Sequence, residues 1–205
     1  MERKNRIVVV GGMACGPKSA ARARRCDPHA EIILVEQGQT VSEGSCGLPY
    51  YVGGTIKNEG ALLIRGPQYF KEVMDVDVRL GMRAISIDRS GHEIEVQDVK
   101  TGATSKLPYD KLVIATGATP FVPSALKGRE LKGVFTLTKL ADANAMLEEM
   151  ASAAPQHAVV VGAGLIGLET AEALRERGMQ VSIVEALDRV LPALLDPEIA
   201  AHVET

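Results

Sequence analysis

Cys46 lies between small residues in Val41-Ser-Glu-Gly-Ser-Cys-Gly-Leu-Pro-Tyr-Tyr51, in a loop that leads into an apolar run. A thiol in such a turn either packs as a small hydrophobe or works as a thiolate, and the segment alone leaves both readings open. Gly47-Leu-Pro-Tyr-Tyr51 reads as the entry to a helix, where backbone N–H groups favour the thiolate. The other thiols are Cys15 and Cys26. No metal-ligand spacing connects the three, so no metal site is expected, and an odd number without a secretory signal argues against a disulfide framework. Cys15 and Cys26 fall in the first helical unit, where packing is the expected role.

Glycines carry a second chemistry, and they do so twice. Ile7-Val-Val-Val-Gly-Gly-Met-Ala-Cys-Gly16 stands at the start, and Ala158-Val-Val-Val-Gly-Ala-Gly-Leu-Ile-Gly167 near the end. Each is a β-branched run ending in glycines, followed by a helical segment, a second apolar run and a glutamate, in Ile32-Ile-Leu-Val-Glu36 and Val181-Ser-Ile-Val-Glu185. Both read as βαβ units for a dinucleotide. The first glycine makes the strand-to-helix turn, the second admits a pyrophosphate, and the third lets helix and strand pack closely. Phosphate charge sits on the free N–H groups at the helix start. Glu36 and Glu185 would accept hydrogen bonds from a ribose. Glycine turns in an unliganded α/β fold are the plain alternative, and two complete copies weigh against it.

The copies differ. The second has Gly162, Gly164 and Gly167, whereas the first has Gly11, Gly12 and Gly16 with Met13 at the second-glycine position. A side chain at Met13 is expected to push the pyrophosphate or shift the loop. Glu185 repels a 2′-phosphate and no arginine directly follows it, so NADH is expected over NADPH.

The positioning elements follow from periodicity. Lys18, Arg22 and Arg25 share one face of the first helix at i, i+4, i+7, with Ala20 and Ala23 opposite and free to pack on a sheet. A solvated basic face is the simplest reading. Val76–Leu80, Ala84–Asp88 and Glu93–Gln97 alternate by twos and read as a meander of short strands. Tyr109-Asp-Lys-Leu-Val-Ile-Ala-Thr-Gly117 reads as a buried strand ending in a small-residue turn, and Asp142–Met150 as a helix. Pro120, Pro123 and Gly128 mark a crossover, which places the domain boundary between residues 1–118 and 119–205.

At 205 residues, 46% hydrophobic, 24% charged and net charge −3, the chain fits a globular α/β protein with no general electrostatic drive toward nucleic acid or anionic membrane. The charged start, Met1-Glu-Arg-Lys-Asn-Arg6, precedes an apolar run too short for a signal peptide, and no later segment reaches the length of a membrane span. A cytoplasmic location with reduced thiols is expected.

Together these residues resemble the two-dinucleotide-binding-domain flavoproteins, the pyridine nucleotide-disulfide oxidoreductase family, along the whole chain. The resemblance implies two Rossmann-like domains with a small β-meander insertion, the first for FAD and the second for NAD(P)H. It puts Gly11, Gly12, Ala14, Gly16, Glu36, Thr116 and Gly117 at the flavin, with Ala84 holding the adenine through its backbone. It puts Gly162, Gly164, Gly167 and Glu185 at the nicotinamide nucleotide. The family's later Gly-Asp flavin motif and C-terminal dimerisation domain have no counterpart in Ala186–Thr205. The resemblance therefore implies a piece of a longer, homodimeric protein with its second domain incomplete.

Lipoamide and glutathione reductases carry two cysteines five positions apart at this loop, and here the fifth residue after Cys46 is Tyr51. Ser42-x-x-x-Cys46 instead resembles the single-cysteine branch: coenzyme A-disulfide reductases, NADH-dependent persulfide reductases, NADH oxidases and NADH peroxidases. Glu43 replaces the usual phenylalanine after the serine. A solitary cysteine cycles between thiolate and mixed disulfide or sulfenic acid. The oxidase and peroxidase members carry a histidine where this chain has Ala14, which argues for a sulfur substrate. The resemblance also implies coenzyme A contacts at Lys18, Arg22, Arg25, Ser42 and Ser45. The expected activity is NADH-dependent reduction of a coenzyme A-linked disulfide or persulfide through FAD and Cys46. An NADH oxidase forming a cysteine sulfenic acid, or a nucleotide-binding module without turnover, stand as alternatives.

Overall fold

The computed structural model describes residues 5–204, so the charged residues 1–4 and Thr205 lie outside the described residues. In chain order, β1 (Arg6–Val10), α1 (Cys15–Cys26) and β2 (Glu31–Glu36) form the first βαβ unit. Next come α2 (Leu48–Gly53), α3 (Pro67–Met74), β3 (Val76–Leu80), β4 (Met82–Asp88), β5 (Glu93–Asp98), β6 (Thr104–Pro108) and β7 (Lys111–Ile114). The chain then runs through α4 (Leu140–Ala153), β8 (His157–Val161), α5 (Leu165–Glu176), β9 (Gln180–Val184) and α6 (Pro197–Val203).

These elements form two compact units. Residues 1–44 and 63–119 make the first, and residues 45–62 and 120–205 the second. In the first, a parallel sheet has the order β3-β2-β1-β7. Its central strands are β-branched runs because both faces are covered. On one side Val9, Ile32 and Leu34 pack with Ala20 and Phe70, and on the other Val8, Ile33 and Val35 pack with Ile94, Val96 and Leu107 of the antiparallel β4-β5-β6 sheet. Each such aliphatic side chain contributes roughly 1.5–3 kcal/mol by leaving water.

Three strand assignments are corrected. Val76–Leu80 joins the parallel sheet beside β2 and not the meander, because Val76 is buried and Val78 and Leu80 pack on the same core as Phe70. The third meander strand is Thr104–Pro108, which the alternation did not reveal since Leu107 is its one buried residue. The strand at residues 111–114 is an edge strand, with Ile114 63% exposed, where a buried one was expected.

The second unit pairs β8 and β9 in parallel. Its core joins Leu140, Ala143 and Met146 of α4 and Leu174 of α5 to Leu48, Val52 and Leu62. Thus the excursion 45–62, which begins one residue before Cys46, is packed among elements far along the chain. No described helix is long and apolar enough to cross a membrane.

Candidate functional site

The two glycine loops are built alike down to single hydrogen bonds. Gly11 N donates to Val35 O at 2.8 Å, and Gly162 N to Val184 O at 2.8 Å. One residue on, Gly12 N donates to Glu36 Oε2 at 2.6 Å, and Ala163 N to Glu185 Oε2 at 2.7 Å. Gly11 and Gly162 turn the chain at φ +111° and +106°, a region closed to most side chains. At the third glycine, a Cβ on Gly16 would stand 1.7 Å from Gly11 O, and one on Gly167 2.0 Å from Gly162 O. Helix start and loop therefore touch backbone to backbone.

Space separates them at the second position. A Cβ on Gly164 would meet nothing within 4 Å, so the approach to α5 is open, whereas Met13 is half-buried and carries its side chain at the equivalent place. Neither α1 nor α5 has a side-chain cap on its first N–H groups. Those donors have no partner within their helix and suit a pyrophosphate oxygen. Both donor sets fit the pyrophosphate of a dinucleotide, with open space at Gly164 for the second loop and the Met13 side chain beside the first.

Around the first loop the chain gathers other predicted residues. The segment after β7 crosses so close that a Cβ on Gly11 would lie 2.1 Å from Ala115 O, and Thr116 and Gly117 follow exposed, Gly117 at φ +69°. Ser42, at φ +60°, donates its N–H to Gly12 O at 2.7 Å and accepts from Ile64 N at 2.9 Å. Glu43 now has a place: Thr40 Oγ1 donates to its carboxylate and its backbone bridges Leu63. The carboxylate therefore braces the turn that presents Ser42, a role with no pattern in sequence. Ala84 is half-buried in β4, beside a register shift at residues 84–86, with its side chain on the meander core.

Glu185 accepts from the N–H groups of Ala163, Ala186 and Leu187. These bonds, Ala163 first, hold its carboxyl below the ordinary 4.5. A group whose folded value is depressed contributes stability above its unfolded value and loses it as pH falls through the folded one. The wild-type protein is therefore expected to lose more stability than Glu185→Gln between about pH 5 and about pH 3, read from urea midpoints at each pH. Parallel curves would show that these bonds carry no charge-dependent stability. Arg189, the nearest cation after Glu185 in sequence, is engaged elsewhere, with Asp188 at 3.1 Å and Pro192 O at 3.3 Å.

On α1 the expected division holds: Ala20 is fully buried, while Lys18, Arg22 and Arg25 are exposed. Arg24 is the exception among the basic residues, turning toward the end of α3 to donate to Met74 O and Asp75 O. The packing expected of Cys15 and Cys26 is not found, since both are exposed. The helical period explains it, because residues 15, 18, 22 and 26 fall on one face, away from Ala20.

In the second unit, Ser45 and Cys46 begin a 3-10 turn that runs into α2, and Cys46 is exposed. A Cβ on Gly47 would lie 2.4 Å from Leu62 Cδ2, so the turn is pressed onto the core behind it. Tyr51 donates from its hydroxyl to Asn144 Oδ1 at 3.1 Å. The thiol is thus open to an outside reactant, while the residue five positions on is engaged with α4.

Comparison with known proteins bears on this arrangement. The chain is 33% identical over 199 residues to an NADH oxidase of Methanocaldococcus jannaschii, covering 97% of the chain and 44% of that protein. Its structure matches that of a NAD-dependent persulfide reductase from A. fulgidus with a TM-score of 0.92 and 46% identity, over 97% of this chain and 37% of the other. It matches reduced Bacillus anthracis CoADR-RHD with a TM-score of 0.95 and 38% identity, over 99% and 36%. The chain thus spans less than half the length of each of these relatives. The pyridine nucleotide-disulphide oxidoreductase model matches residues 5–205, and with its paired glycine loops and their glutamates the chain belongs to that family.

Proposed function

We propose that this chain belongs to an NADH-dependent reductase of coenzyme A-linked disulfides or persulfides that works through Cys46. One observation carries the reading: Cys46 is exposed at the entry to α2, and the residue five positions on is Tyr51, whose hydroxyl is engaged with Asn144. Its sulfur partner is then an outside molecule. The Gly11–Gly16 loop would hold FAD, which would supply two-electron transfer from NADH to sulfur. The Cys46 thiolate attacks one sulfur of the substrate, and the other leaves as a coenzyme A thiolate. The NADH-derived pair then breaks the mixed disulfide, which frees the second thiol and restores the Cys46 thiolate. One NADH and one proton are consumed per disulfide, giving two thiols; a coenzyme A persulfide would give coenzyme A and hydrogen sulfide.

The residues assigned to substrate are Lys18, Arg22 and Arg25 for the phosphates, with Ser42 and Ser45 on the loop. Their support is the exposed basic face of α1. Glu185 is assigned to the ribose, and Arg189, the nearest cation after it in sequence, bonds instead to Asp188 and Pro192 O, which supports NADH over NADPH. Ala84, Thr116 and Gly117 are assigned to FAD with the first glycine loop. We place the enzyme in the cytoplasm, where three exposed thiols stay reduced, and expect the full-length protein to be a homodimer.

The test is product stoichiometry in the full-length enzyme: NADH with coenzyme A disulfide should yield two thiols per NADH without oxygen uptake. The name of the Methanocaldococcus relative supports a second reading, an NADH oxidase, and oxygen uptake with no thiol formed would establish it. As an arm of the same assay, Arg22→Ala should raise the KM for coenzyme A disulfide about 5- to 10-fold, the weight of a lost charge-assisted contact to phosphate, and leave that for a small disulfide unchanged. Equal effects would remove Arg22 from the substrate contacts.

A further inference from the structure

A six-residue helix cannot hold itself in water, so α2 takes its orientation from its neighbours. On the α5 side the approach is close: a Cβ on Gly53 would stand 3.1 Å from Ala173 Cβ, and one on Gly54 3.0 Å from the Arg177 guanidinium. Arg177 Nε donates to Val52 O at 2.8 Å, satisfying one of the carbonyls left without a partner at the end of α2. On the α4 side, Tyr51 donates to Asn144, whose amide donates to Glu59 Oε2 at 3.1 Å. That relay fixes both the helix and the chain leaving it.

We propose that Arg177 and the Tyr51–Asn144 pair are positioning residues for Cys46, fastening α2 and the thiol just before it to the helix whose other end carries the second glycine loop. The inference rests on the thiolate role of Cys46 given above. Attack on a disulfide needs the sulfur within about 3–3.5 Å of its target and aligned with the bond that breaks, and a misplacement near 1 Å costs on the order of 100-fold. Arg177 acts from the C-terminal end of α5, about 20 Å along the helix from Gly164. It therefore works through α2 and not by touching the nucleotide.

The test uses the full-length enzyme and two electron acceptors, coenzyme A disulfide, which needs the thiol, and ferricyanide, which does not. Arg177→Ala should lower kcat for the disulfide about 5-fold or more, with the NADH KM and the ferricyanide rate unchanged within about 2-fold, and Arg177→Lys should restore it. Tyr51→Phe, which removes one oxygen and keeps the ring, should give the same split at about 2- to 3-fold, and it decides the matter if Arg177→Ala does not fold. Parallel loss of both activities, or no loss of either, overturns the proposal. Cys46→Ser separates the two levels. If it still reduces the disulfide, the thiolate reading fails and the positioning role with it. If it does not, and both other variants keep the full rate, the positioning role alone fails.

Discussion

Cys46→Ser in the full-length enzyme is expected to lower kcat for coenzyme A disulfide by about 1,000-fold or more, because a hydroxyl near neutral pH is neither ionised nor able to form the mixed disulfide. Removing a nucleophile that forms a covalent intermediate leaves only what binding and orientation supply. The rate of NADH oxidation by ferricyanide should be unchanged within about 2-fold, since that acceptor bypasses the thiol. Cys26→Ser is the matched control: its thiol is exposed like that of Cys46, yet it ends α1 with no assigned contact to substrate, so full activity is expected. A Cys46→Ser enzyme retaining more than about a tenth of the disulfide rate would mean that the sulfur substrate is reduced directly.

The second large effect concerns the glycines that hold helix to loop. Gly16→Ala would place a methyl carbon 1.7 Å from Gly11 O, and Gly167→Ala 2.0 Å from Gly162 O. The obstacle is backbone in each case, so the loop must shift, at a cost of about 1–3 kcal/mol or more. The two substitutions should fail differently. Gly16→Ala should emerge with little bound flavin, measured by absorbance at purification. Gly167→Ala should keep its flavin and raise the KM for NADH about 30-fold or more, with small change in disulfide binding. Equal loss of flavin in both variants would mean that the loops do not divide the nucleotides between them.

Much of the site could be read from residues whose types are dictated locally. A Cβ on Gly11, Gly16 or Gly167 would strike backbone, and Gly162 turns the chain at φ +106°, so the glycine spacing alone identified both loops. Glu36 and Glu185 stood out in the sequence as candidate ribose acceptors, while their bonds to Gly12 N and Ala163 N, which fasten each loop to the neighbouring strand, had no signature in spacing. The exposed face of α1 followed from helical period, but Arg24 could not be told from Arg22 and Arg25, because its inward turn depends on the end of α3 some fifty residues away. Glu43 and Tyr51 were illegible for the same reason: each is defined by a partner that the fold brings in. The meander was misassigned at Val76–Leu80 because alternation reports that one face of a strand is buried, not which sheet the strand joins.

The excursion of residues 45–62 also constrains how the protein is made and handled. The chain passes between its two units three times, so no single cut separates them. A piece beginning at Pro120 would lack Leu48, Val52 and Leu62, three of the seven buried side chains in the core of the second unit. On the ribosome those side chains emerge well before their partners, since Val52 and Arg177 are 125 residues apart. Until α4 and α5 are synthesised, the cysteine segment is an uncovered apolar stretch with a free thiol, the form in which oxidation and aggregation compete with folding.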